Sequence, residues 1–324
     1  MNLPMLRDLL NFAESNACAE HVSRVIDDFT EHRDKTYMLA SAAKAPQSGL
    51  VLILEKNEDG TATVMTPDGA EMIEATLEVQ GVLVSYDLPP VTNRKQIGPK
   101  PAWAKQSVKI MGFGAPEFQQ AVRGFKDVHH RLSSLYKLNA LEPHGLDAPD
   151  SALELDFSSR YVTPRNQVKG EIAIPFGSII DPNGILMSTM AGVGSHLEDN
   201  QVLYYDCLKD PMTGQPHFVP IDPSILRIGQ VVQLQVAFAS VPLWGRKGSF
   251  RMVAKLRSIA ILDRGLQEAF EKDLAEKQGH AEKTHIVGKR LKRKIGYSDV
   301  PATAKRAKDT SEAQEGRMEE DQQK

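Results

Sequence analysis

The chain holds only two cysteines, Cys18 and Cys207, far apart in 324 residues. That excludes a disulfide framework and any zinc-finger spacing, and it fits reduced thiols in the cytosol or nucleus. No run approaches the roughly eighteen apolar residues of a membrane span, so no membrane partner is expected. The opening residues, MNLPMLRDLLNF, lack the long apolar core of a signal peptide. A formal net charge of −3 gives no global pull toward nucleic acid, so any such pull must come from local patches. There is no Walker loop, no G-x-S-x-G and no H-E-x-x-H. Gly192-Val-Gly194-Ser lacks the third glycine of a dinucleotide loop. No motif implies a bound cofactor.

What is present centres on Ile225 to Asp263. Val232, Leu234, Val236 and Phe238 alternate with Val231, Gln233, Gln235 and Ala237. After the tip WGRKGS the alternation resumes, with Phe250, Met252, Ala254 and Leu256 against Arg251, Val253, Lys255 and Arg257. Period two with one apolar face predicts two half-buried strands joined as a long hairpin. Gly229 precedes the first of them as a glycine kink.

The period changes along the chain. Apolar residues at helical spacing predict amphipathic helices over 3–14 and 18–33. Residues 49–88 read as an antiparallel meander. Asn57-Glu-Asp-Gly60 and Pro67-Asp-Gly69 make its turns, since glycine accepts positive φ cheaply. Residues 89–106, rich in proline and basic side chains, read as a loop, with Trp103 between Lys100 and Lys105. A strand from Val108 and a helix opened by Pro116 follow. Short strands are then expected at 170–176, 185–190, 201–208 and 217–221, punctuated by turns such as Asp181-Pro-Asn-Gly184. A helix closes the fold over about 265–277.

The expected fold is therefore an α+β N-terminal region (1–145), a linker (146–164) and an all-β barrel-like domain, OB-like or sandwich, with its closing helix (165–278). Residues 279–324 are poor in apolar side chains and rich in charge. Such a segment cannot bury enough surface to offset ordering entropy, and a disordered tail is expected.

That tail carries a specific motif. Lys289, Arg290, Lys292, Arg293 and Lys294 form one basic cluster, and Lys305, Arg306 and Lys308 a second. Two clusters at that spacing resemble a bipartite nuclear localisation signal, which implies an importin-type receptor as partner. The second signal is the hairpin tip: Trp244, Arg246, Lys247, Phe250 and Arg251 place aromatics around a basic turn. Single-strand binders combine stacking aromatics with positive charge. Tyr204 and Tyr205 are further candidate stacking faces.

His196-Leu-Glu198, with His217 and Arg227, carries part of the spacing of iron and 2-oxoglutarate oxygenases. The acid is Glu where that pattern has Asp, and the two histidines are close in sequence for such a barrel.

Asp181-Pro-Asn-Gly-Ile-Leu, His196-x-Glu198-Asp199-Asn200, Tyr204-Tyr205, Arg227-x-Gly229-Gln and Leu256-Arg-Ser-Ile-Ala-Ile-Leu-Asp263 together resemble a repetitive, uncharacterised family from mushroom-forming fungi. The resemblance covers 179–263. It implies a fungal, mobile-element-associated origin and no assigned activity.

The functional expectation is a non-enzymatic nuclear protein that binds single-stranded DNA or RNA through its β domain, with nuclear proteins as further partners. The alternative is a structural or protein–protein interaction module. The third reading is the oxygenase.

Overall fold

The structure, a computed structural model, describes residues 3–15, 18–31, 33–44, 47–146, 153–210, 212–243 and 245–285. The chain divides into two units, residues 1–276 and 277–324. Of the second, the described part is the end of helix α6 (Gly265–His285). The localisation clusters and nearly all of the expected tail lie outside the described residues.

The first unit is built on one large sheet. Its order is β10 (Pro216–Pro220), β9 (Leu203–Lys209), β12 (Phe250–Asp263), β11 (Val231–Pro242), β4 (Leu77–Asp87), β5 (Lys105–Met111), β6 (Glu154–Arg160). A smaller meander, β1 (Ile53–Lys56), β2 (Ala62–Asp68) and β3 (Glu71–Glu74), joins through β2 on β11. All ladders in this sheet are antiparallel except β9 on β12. The sheet is thus mixed.

The predicted hairpin, β11 and β12, is its centre. It enters through Gly229, whose φ of +94° is open to glycine at little cost. A β-carbon there would stand 3.0 Å from the Gln267 backbone, so the position also lets α6 approach. Leu83 and the turn exchange hydrogen bonds: Gly229 N–H donates to Leu83 O and Leu83 N–H to Gln230 O, both at 2.9 Å. A register shift between Gln235 and Val236 bends the pair. β11 is more enclosed than its alternation suggests, with Gln233 buried as well as Leu234. Gln80 donates to Gln233 Oε1 at 2.9 Å across the sheet, so these polar groups are satisfied.

The other face of β11 packs on helix α4 (Pro116–Ser134). Phe125 of α4 meets Phe238 of β11 at 5.5 Å between ring centroids and Phe157 of β6 at 6.4 Å. The two strands are not neighbours in the sheet, so a single ring spans its curl. Helices α1 (Leu3–Ser15), α2 (Cys18–Thr30) and α6 join the same core; Phe12 lies 5.5 Å from Phe270. α2 is held at both ends of the layer, by His21 on Asp263 and Ser23 on Glu117. Among the described residues no helix is long and apolar enough to cross a membrane.

The expected barrel is not closed. The sheet curls until β6 comes within 8 Å (Cα) of β12, but no ladder joins them. The sheet also runs across the boundary expected at 146–164: β4 pairs with β11, and β6 lies inside the expected linker. The period-two pattern of ELDFSSR is real, with Leu155, Phe157 and Ser159 buried, but its polar composition masks it. The strand expected at 185–190 is a helix, α5 (Ile185–Met190). Asp181 caps it, accepting from Leu186 N at 3.0 Å and Met187 N at 2.9 Å. Residues 170–176 form no strand; before and after them in the chain, β7 (Thr163–Pro164) and β8 (Gly194–Ser195) make a short antiparallel pair of their own. The loop at 89–104 is ordered around a second small core of Val91, Ile97, Ala104, Tyr161, Val162, Leu186 and Met190.

Candidate basic and aromatic ledge

The hairpin tip reverses through Gly245 and Gly248, each with φ of +79°. Leu243 N–H donates to Ser249 O at 2.8 Å, closing the turn. Arg246 is largely exposed and touches Glu142 at 3.4 Å. Lys247 and Arg251 are exposed and meet no acidic partner among the described residues. Trp244 lies outside the described residues.

Phe250 is half-buried. It stacks on Tyr136 with centroids 4.2 Å apart and packs against the main core. Its backbone is tied to the chain after α4: Phe250 N–H donates to Ala140 O at 2.7 Å. Phe250 therefore anchors the tip and offers no open ring.

Tyr204 and Tyr205 are elsewhere. Tyr205 stands opposite Ala260, ten residues along β12 from Phe250, a separation of about 33 Å at 3.3 Å per residue. Tyr204 is buried, and its hydroxyl donates to Gln106 Oε1. Burial pushes its pKa well above the ordinary value. Tyr205 contacts Phe218 edge-on at 6.1 Å. Phe218 and Phe29 in turn lie under the Arg33 guanidinium, at 5.5 and 4.6 Å. The residues expected to form one site thus form two separate places.

A second basic and aromatic pair lies at the end of β6 and in the turn before β5. Arg160, the last residue of β6, lies over the indole of Trp103 at 4.5 Å from the centroid. Trp103 ends a short 3-10 turn, Pro101–Trp103, and half of its surface is open (51% exposed). Arg160 is half-buried and makes no ion pair among the described residues. Burial lowers its pKa, and the nearby charge of Arg251 lowers it further. Two guanidiniums from different strands, β6 and β12, thus feel one another's charge. Beside them Lys105 donates to Ser158 Oγ at 3.2 Å. Its charge is felt by Asp87 and Asp156, whose carboxyl pKa values are raised chiefly by burial. The basic loop around Trp103 is visible in the sequence; its pairing with Arg160 is not, because only the β5–β6 ladder, setting Lys105 opposite Arg160, brings them together.

The oxygenase residues do not converge. Among the described residues no three of His, Cys, Asp and Glu are grouped to hold a metal. The His196 ring stacks on Phe176 at 4.3 Å, with Nδ1 on the Tyr161 carbonyl at 2.7 Å. Glu198 and His217 point from the surface, and Arg227 donates to its own loop carbonyls at Ser224 and Leu226.

A cavity of about 140 Å³ between α2 and the β9–β10 hairpin exposes Cys207 beside Asp263. His21, on Asp263, does not activate that thiol. Its Nε2 is taken by Asp263 at 2.9 Å and its Nδ1 by Arg24 at 3.0 Å. Burial, the largest effect on it, raises the pKa of the Cys207 thiol. No protein-family model matches the chain, and no curated protein matches it in sequence.

Proposed function

We propose that the chain binds single-stranded nucleic acid at the tip end of the sheet, acts in the nucleus and catalyses no reaction. The observation that carries this reading is Arg160 over the half-open Trp103, with the charge of Arg251 reaching it. Like charges held together in a partly desolvated place repel, and an anion between them relieves that repulsion. Arg246 and Lys247 extend the positive surface along the turn, which suits a chain of phosphates better than one small anion. Paired clusters at 289–294 and 305–308 favour nuclear import through an importin-type receptor.

The test is binding of labelled single strands at two salt concentrations. Phosphate-driven affinity falls steeply as salt rises, by a power of about 0.7 per neutralised single-strand phosphate. Absence of binding at low salt would remove the nucleic-acid reading and leave a protein-interaction module.

A further inference from the structure

We infer that Trp103, Arg160 and Arg251 form a seat for one nucleotide unit, taking a backbone phosphate on the guanidiniums and its base on the open side of the indole. The inference rests on the nucleic-acid reading and narrows it to unpaired bases.

Geometry makes the two interactions cooperate. Arg160 is shared between them: it lies 4.5 Å from the Trp103 ring centroid, and the charge of Arg251 reaches it. A phosphate on Arg160 therefore places its own nucleoside beside the indole. An arginine over one side of a tryptophan stiffens the ring and leaves the other side for a second layer. Half of Trp103 remains open. Large exposed aromatics are costly to leave in water, and a base is a sequence-tolerant cover for one. A duplex keeps its bases stacked internally and offers the indole nothing.

The nearby acids do not close the seat. Glu142 holds Arg246 and Glu154 holds Lys109, while Asp87 and Asp156, the acids beside Lys105, make no ion pair with Arg160 or Arg251 among the described residues. Arg160 and Arg251 are left without such a partner among the described residues.

The experiment compares the full chain with its Trp103→Ala and Arg160→Gln variants. Probes are a thymidine oligonucleotide, an abasic oligonucleotide of equal length and charge, and a polyglutamate of equal charge. Wild type should prefer the thymidine strand over the abasic one by about tenfold, the worth of a single base–aromatic stack. Trp103→Ala should lose that preference and keep its salt slope. Arg160→Gln should lose the preference and flatten the slope, because it removes the shared group. Thermal unfolding of both variants should match wild type within a few degrees, which separates loss of the seat from loss of the fold. Equal affinity for thymidine and abasic strands in wild type overturns the seat while leaving nucleic-acid binding intact. Polyglutamate binding as well as DNA marks a general polyanion surface and overturns it too. Failure to bind any strand overturns both the seat and the broader reading.

Discussion

Gly124 on α4 faces the Leu39 carbonyl so closely that a β-carbon would stand 1.8 Å from its oxygen. Leu39 opens the short helix α3 (Leu39–Ala42), and both helices bury their apolar sides in the main core. Gly124→Ala must therefore separate α3 from α4. The expected cost is about 1–3 kcal/mol, the usual range for overpacking. Denaturant unfolding measures it; a midpoint equal to wild type would show that α3 is not held against α4.

Tyr204 and Gln106 form a buried pair whose second arm reaches the Asn200 carbonyl, Gln106 Nε2 donating at 3.4 Å. Tyr204→Phe leaves the Gln106 oxygen without a donor. A loss of about 1–3 kcal/mol in stability is expected, the usual cost of an unsatisfied buried acceptor. Nucleic-acid affinity should not change, since Tyr204 is buried. Weakened binding in a variant of normal stability would return Tyr204 to the binding surface.

Burial lowers the pKa of His196 from its ordinary 6.5. The unfolded chain then takes up a proton before the folded ring does. Stability from this group is complete above pH 6.5 and falls as the pH drops toward the folded-state value. His196→Gln should flatten the stability profile over that window relative to wild type. Parallel profiles for the two proteins below pH 6.5 would rule His196 out as the source.

Arg246→Ala with Lys247→Ala should flatten the salt dependence of single-strand binding by about 0.7 for each phosphate that the variant no longer neutralises. The fold should survive, because the ion pair of Arg246 with Glu142 is exposed and such pairs contribute about 0–1 kcal/mol. An unchanged slope would reduce the tip to an ordinary hairpin end.

A fusion too large to diffuse through nuclear pores should accumulate in nuclei through Lys292, Arg293, Lys294, Lys305 and Arg306. Alanine at all five should leave it cytoplasmic. Nuclear accumulation of the variant would require another address.

Much of the local structure is legible in the sequence because its pattern is local. The alternation of Val232, Leu234, Val236 and Phe238 identifies β11, and the spacing of Phe118, Val122, Phe125 and Leu132 identifies α4. Pairing between distant strands is not legible. Nothing in Leu77–Asp87 names Val231–Pro242 as its neighbour, yet that ladder merges the two expected domains. α5 reads as a strand because Ile185–Met190 is too short for periodicity to separate helix from strand; its determinant is the Asp181 carboxylate. The ledge is half legible: Arg251 stands out in the tip, whereas Arg160 reads as one more charge in a linker.

The unladdered approach of β6 to β12 has a mechanical consequence. Where a hydrogen-bonded ladder closes a sheet, backbone geometry fixes the strand spacing at about 4.8 Å. Here that constraint is missing on one side, and the curvature rests on what fills the concavity. Phe125, touching both Phe157 and Phe238, acts as the spacer. Side-chain volume at this one position thereby bears on how tightly the sheet curls between β6 and β11, a curvature adjustable from inside the core without altering any residue on the surface.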